Sequence, residues 1–173
     1  MKKVPHDPNE IIALVDNNDN VISQITRKEA HEKSLLHREV YSFIINSKKE
    51  VLLQKRVDFG LWDSSPSGHF PKKQDYDDAI IREVKEELGL KLSKNDFQRI
   101  GKEYFKSRHN TRFATIYFIR KNFLLKDFVL DKEEVSEVKY FNKKEINKLL
   151  ENKEEVLTKA TKYFLKKFVL KEL

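Results

Sequence analysis

The sequence predicts an α/β fold, a mixed sheet packed between helices as an α/β/α sandwich, with a helical C-terminal extension. Three observations carry this. Short runs rich in apolar, β-branched and aromatic residues recur along the chain between polar turns, as strands do. One stretch between them, Asp75 to Gly89, places its apolar residues at helical spacing. From Asn142 onward the chain reads as helix almost to its end. With 173 residues and a 39% apolar fraction spread along its length, the chain can bury one sizeable core, so residues 1–173 are expected to form a single domain. Its parts are a hairpin and helix over 1–40, a core over 41–141 and C-terminal helices over 142–173.

The elements follow in order. Ile11 to Val15, the turn-rich 16–20 and a second strand from Val21 make a hairpin. Thr26 and Glu29 have the spacing of a capping box, opening a helix through "TRKEAHEKSLLHR". "EVYSFIIN" and "EVLLQKR" are strands joined by a polar turn, and "VDFGLWDSSPSGHF" reads as irregular. Within it Trp62 and Phe59 read first as packing residues, with a pocket lining as the alternative. Asp75 can cap the next helix and Gly89 can end it. "DFQRIGKEYFKS", "TRFATIYFIRKNF" and "EVSEVKYF" are further strands, and Asn142 with Glu145 forms a second capping box. Beyond it, Leu149, Leu150, Val156, Tyr163, Phe164 and Phe168 are expected to turn inward.

Composition removes several classes of function. The chain has no Cys, so a disulfide framework, a thiolate metal site and a cysteine nucleophile are all excluded. No apolar run is long enough to span a bilayer, and "MKKVPHDPNE" lacks a signal peptide's apolar stretch; a soluble, cytoplasmic protein without a membrane partner is expected. The formal net charge of +7 favours polyanionic partners without choosing among them.

The helix carries the sharpest signal. At about 100° per residue, Glu83, Glu86 and Glu87 share one arc, while Ile80, Ile81, Val84 and Leu88 occupy another. Neighbouring carboxylates repel and raise one another's pKa unless a positive charge sits among them. Arg82 stands four residues before Glu86, at ion-pair spacing. The plain alternative for these residues is a solvated surface helix.

Gly68, Gln74 and the run Arg82-Glu83-Val84-Lys85-Glu86-Glu87-Leu88-Gly89-Leu90 together resemble the Nudix box, G-x5-E-x7-R-E-U-x-E-E-x-G-U with U a bulky apolar residue. Only Gln74 departs, standing where the family usually has Glu. The resemblance implies a Nudix-type α/β/α sandwich and a divalent cation, Mg²⁺ or alternatively Mn²⁺, on Glu83, Glu86, Glu87 and the Gly68 carbonyl. Arg82 would orient the carboxylates. Glu83, or a Glu of a later loop such as Glu134 or Glu137, would take the proton of the attacking water. Gln74 would retune such a site by removing one outer negative charge.

The similarity extends over roughly residues 11–140 toward the isopentenyl-diphosphate isomerase branch of the superfamily, through "GLWDSSPSGH", "AHEKSLLHREVYSFIIN" and "EVLLQKR". In the isomerases three histidines and two later acidic residues bind a metal beside a catalytic Cys. His31, His37 and His69 match the histidines, although His31 and His37, taken singly, read as structural or solvent-facing. Position 67 is Ser, and Asn110 and Arg112 stand where carboxylates belong. An isomerase therefore lacks its acid/base pair here. His69, His109, Asn110 and Arg112, with Glu134 and Glu137, are candidates for substrate contact.

The expected function is Mg²⁺-dependent cleavage of the diphosphate linkage in a nucleoside diphosphate derivative or another small organic diphosphate. The alternative is a non-catalytic Nudix-fold module binding nucleotide or nucleic acid, to which the nine Lys and five Glu from Lys143 onward would contribute. Monomer and homodimer both stay open.

Overall fold

The computed structural model describes residues 7–107 and 110–173. Its organising strand is β3, Leu36–Ile45, because both of its edges are in use. One edge runs parallel to β8, Asn110–Arg120, over the full register from Leu36↔Thr111 to Ile45↔Arg120. The other edge is shared in turn: His37 opposes Leu14 of β1 (Ile11–Val15), Glu39 to Tyr41 pair with β6 (Ser67–His69), and Ile44 and Ile45 pair with β4 (Val51–Arg56). Beyond these neighbours lie β2 (Val21–Thr26) on β1, β7 (Gln98–Ser107) on β8, and β5 (Trp62–Asp63) and β9 (Val135–Phe141) on β4. The sheet is mixed, as expected.

Side-chain alternation along the strands then dictates two cores. Val40, Ile44, Leu52, Tyr117 and Ile119 face α2, Tyr76–Leu88. Tyr41, Phe43, Ile45, Val51, Leu53, Ala114, Ile116 and Phe118 face the C-terminal helices α3 (Lys143–Glu151) and α4 (Lys159–Phe164), which runs on into a π-helical turn over Leu165–Val169. This is the α/β/α sandwich. Each fully buried Leu, Ile or Phe contributes about 1.5–3 kcal/mol, so both helical layers are held by the sheet rather than by helix propensity.

Several local expectations change. Thr26 accepts from the Glu29 amide at 3.2 Å, but the Glu29 carboxylate turns to Lys33 at 2.7 Å instead of closing the box. The helix it starts, α1, spans only Arg27–Glu32. Ser34 adopts φ +51, and from Leu36 the chain is drawn into the ladder with β8. The Asn142 and Glu145 box is complete, with bonds of 3.0 and 2.9 Å. Tyr163 is exposed on α4, whereas Phe164 beside it is fully buried. No helix among the described residues is long and apolar enough to cross a membrane.

Candidate active site

Helix α2 is cut to length by its ends. The Asp75 side chain accepts from the Asp78 amide at 2.8 Å, and Asp77 and Asp78 in the first turn oppose the helix dipole. Gly89 stops the helix at φ +70, where a β-carbon would also lie 2.6 Å from Val129 Cβ. Between these caps, Ala79, Ile80, Val84 and Leu88 enter the core, and Ile81 sits half-buried at the margin. The adjoining stripe carries Glu83 and Glu87, which are 0% and 2% exposed. Glu86 lies one step round, at the surface. The three carboxylates are thus split into two buried and one outer.

Arg82 fastens this arrangement. Its guanidinium meets Glu83 Oε1 at 2.7 Å and Glu86 Oε2 at 2.8 Å, and donates to the His69 carbonyl at 3.0 Å. Its Nε donates to Gln74 Oε1 at 3.2 Å. Gln74 therefore supplies the neutral acceptor that holds Arg82, without adding negative charge to the box.

Glu83 packs directly on Gly68 of β6. A β-carbon at 68 would lie 2.2 Å from Glu83 Cδ, so only glycine admits the carboxylate here. Glu83, Glu87, Glu134, Glu39, Glu10 and Gly68 converge on a cavity of about 30 Å³, with Arg27 and Arg56 also in its wall. That is room for an ion and little else. Gln54 donates to Glu87 Oε2 at 2.6 Å. Burial, then the charges of Glu83 and Glu134, push the Glu87 carboxyl well above the ordinary range, against Gln54 and Arg56. Such an oxygen-lined, negatively overloaded cavity fits a hard divalent cation, which would favour the ionised carboxylates. Of the acidic loop residues, Glu134 reaches the cavity, whereas Glu137 is exposed on β9 opposite Lys55.

Next to this cavity, the end of α1, the start of β3 and β6 bring His31, His37 and His69 together, with donor atoms within 4.8 Å of one another. His69 Nε2 lies 3.3 Å from His31 Nε2 and 3.2 Å from His37 Nε2. His37 Nδ1 contacts the Leu35 carbonyl at 2.8 Å; a carbonyl only accepts, so that nitrogen carries the proton and Nε2 offers a lone pair. Burial, first of all, holds all three imidazoles below the usual histidine range, His31 down to about 4, with the Arg27 and Arg112 guanidiniums adding to the effect. Among neutral rings one of the two N···N contacts lacks a proton, a geometry that suits a cation taking imidazole ligands.

The positions where the isomerase resemblance would place acids hold Asn110 and Arg112. Arg112, opposite His37 in the ladder, pairs with Glu39 at 2.5 Å and stacks over Phe105 at 4.8 Å. Asn110 and Arg112 line a second cavity of about 580 Å³ that shares Arg27, Glu39, Arg56, Ser67 and His69 with the acidic one. Phe59 stands exposed on the wall of this larger cavity, while Trp62 packs edge-on against Phe141 at 4.9 Å. His109 lies outside the described residues.

Sequence reasoning missed Glu10, Arg27, Glu39, Gln54 and Arg56. Gln54 had a signal, being a polar residue inside an apolar strand, and Arg56 follows it on the same face. Glu39 likewise follows His37 by two on β3. Glu10 and Arg27, 3.8 Å apart, come to the site only through the folding of the hairpin and α1.

Comparison with known proteins bears on this geometry. A family model described as the NUDIX domain matches residues 35–164. The chain belongs to the Nudix family. This Nudix chain is 29% identical over 163 residues to isopentenyl-diphosphate Delta-isomerase 1 of Photorhabdus laumondii, covering 86% of this chain and 89% of that one. It is 28% identical over 156 residues to a Nudix hydrolase of Clostridium acetobutylicum, covering 83% and 75%. Among solved structures, DR0079 from Deinococcus radiodurans superposes with a TM-score of 0.73 at 19% identity, over 91% of this chain and 98% of that one. A MutT protein from Methanosarcina mazei gives 0.62 at 21% identity, over 77% and 92%. At such identities the structural likeness establishes the Nudix fold.

Proposed function

We propose that this Nudix protein is a metal-dependent hydrolase that cleaves the diphosphate linkage of a nucleoside diphosphate derivative or another small organic diphosphate. The observation that carries the reading is the convergence of buried Glu83 and Glu87, with Glu134, on one small cavity at Gly68. Glu83, Glu87 and the Gly68 carbonyl, with Glu86 from the outer side, are the groups to hold Mg²⁺ or Mn²⁺. Bound there, the cation would neutralise diphosphate oxygens and acidify a ligated water. Arg82 keeps Glu83 and Glu86 in place through its paired contacts. Glu83 or Glu134 would take the proton of the attacking water. Arg27 and Arg56, common to both cavities, meet the charge of the diphosphate where it passes from one to the other. In-line displacement at phosphorus needs little beyond this positioning and charge compensation.

Isomerase chemistry has less support, despite the similarity in sequence. It must move protons on carbon, and the chain offers Ser67 where a Cys is expected, with Arg112 where an acid belongs.

The test is product release from nucleoside triphosphates, ADP-ribose, dinucleoside polyphosphates, coenzyme A and isopentenyl diphosphate, with Mg²⁺, Mn²⁺ or EDTA. Metal-dependent turnover of one class is expected. Conversion of isopentenyl diphosphate to its isomer, with no diphosphate cleaved anywhere, would reverse the assignment.

A further inference from the structure

Each carboxylate of α2 that the cation site would use has a partner that fixes it, and the partners differ in charge. Arg82 spans Glu83 and Glu86, at 2.7 and 2.8 Å. Glu87 is met instead by Gln54 of β4, whose Nε2 donates to Oε2 at 2.6 Å. Gln54 is 1% exposed and Glu87 2%. The bond therefore forms out of water, where a hydrogen bond is strong and a lost one costly.

Packing alone does not account for a glutamine here. Val51, Leu52 and Leu53 before it are apolar and fully buried, and strand alternation puts Gln54 on the face of the sheet that Leu52 presents to α2. Gln54 Oε1 is buried without a hydrogen-bond partner. Whichever way the amide is turned, one of its ends meets Glu87 and the other is left over, so the side chain brings an unsatisfied polar group into the core. An apolar residue such as Leu would avoid that cost. What the glutamine supplies is a donor on a rigid support: β4 is paired along both edges at this point, with Asp63 of β5 opposite on one side and Val138 of β9 on the other.

Charge makes the choice of donor matter. A guanidinium or ammonium at this place would offset the carboxylate's charge and compete with a divalent cation for it, whereas an amide donates without adding charge. Hydrogen-bond partners of metal-ligating carboxylates set how tightly the metal is held.

We propose that Gln54 is a positioning residue of the cation site: its neutral amide fixes the Glu87 carboxylate at the Gly68 cavity while leaving its charge for the metal, and divalent-cation affinity depends on that contact. The proposal deepens the hydrolase reading and rests on it for the place of the cation. Glu87 stays the ligand, and Gln54 acts only through it.

Mn²⁺ binding, followed by the electron paramagnetic resonance of the free ion, tests this without substrate or turnover. Wild-type, Gln54→Asn, Gln54→Met and Glu87→Gln proteins are titrated with Mn²⁺, after circular dichroism and denaturant unfolding in EDTA have shown each to be folded. Gln54→Asn keeps the amide on a shorter stem, which draws the donor away from Glu87; Gln54→Met fills the place with a straight apolar chain. The expected result is a wild-type site that Glu87→Gln removes and that both Gln54 variants weaken about 10–100-fold. Should Gln54→Met fail to fold, Gln54→Asn carries the test. A purely structural glutamine would shift the unfolding midpoint and leave the affinity of the folded protein at its wild-type value, and that result would overturn the proposal. Wild-type protein with no Mn²⁺ site that Glu87→Gln removes would overturn it together with the placing of the cation on Glu87. The expected pattern of affinities in a protein that cleaves no diphosphate would sink the hydrolase reading alone.

Discussion

Two clusters of like groups lie side by side in this protein, and they solve the same problem in opposite ways. Glu83 and Glu87 are buried together near Glu134, and the guanidinium of Arg82 reaches only the outer side of the pair. Burial first, and then the charges of Glu83 and Glu134, raise the carboxyl of Glu87. The neighbouring His31, His37 and His69 are kept neutral by burial, and the nearby Arg27 and Arg112 oppose their charging. A cation would favour the charged form of the first cluster, whereas the second holds neutral imidazoles. The difference teaches that the carboxylates of α2 stay gathered on one small cavity, whereas the histidines adjoin a Glu39–Arg112 ion pair that lines the larger one.

If that division is right, perturbing the carboxylate side costs most. Gly68→Ala sets a β-carbon 2.2 Å from Glu83 Cδ. It should lower turnover by about a hundredfold or more and cost about 1–3 kcal/mol in denaturant unfolding. Wild-type turnover in Gly68→Ala would show that Glu83 needs no such close approach. Arg82→Lys keeps the charge but cannot span Glu83, Glu86, Gln74 and the His69 carbonyl together. A loss of about 10–100-fold in activity or metal affinity is expected, as for other residues that orient metal ligands.

His31→Ala probes the other cluster and should reduce Mg²⁺-dependent turnover by less than about tenfold, in keeping with positioning alone. A loss as deep as that of Gly68→Ala would instead make the two clusters one site. The smallest effect belongs to a tie between them. Asp19 accepts from Arg38, on β3 between His37 and Glu39, at 2.7 Å and from Tyr76, at the start of α2, at 3.0 Å. Burial alone would raise its carboxyl, but the bonds from Lys102, Arg38 and Tyr76 outweigh it and hold it below the usual value. A depressed carboxylate stabilises the fold above its unfolded pKa of about 3.9, and that stability is lost as pH falls through the folded value. Asp19→Asn should therefore lower stability at pH 7 and flatten its decline below about pH 4, in denaturant titrations at several pH values. An unchanged acid limb would remove Asp19 from this role.

Much of this was readable in the sequence because it is local. The spacing from Gly68 to Leu90, the Asp75 and Gly89 caps and the alternation in β3 and β8 are set by residues near one another in the chain, and helix and strand periods translate them directly. The ending of α1 at Glu32 was not readable, since it follows from Leu36 pairing with Thr111, far along the chain. The two-residue β5 and three-residue β6 are too short to show a period. Three histidines that look structural one at a time become a cluster only when α1, β3 and β6 meet. The role of Gln74 needed coordinates as well, because Gln and Glu share the acceptor oxygen that Arg82 uses and differ in charge.

The most direct test of the proposed hydrolase activity is turnover of the panel of diphosphate compounds as Mg²⁺ is titrated into wild-type and Glu87→Gln proteins. The account predicts that wild-type turnover rises from zero in EDTA to saturation, and that Glu87→Gln is lower by at least about a hundredfold at saturating Mg²⁺ while remaining folded. Wild-type rates in Glu87→Gln, or turnover that persists in EDTA, would contradict it.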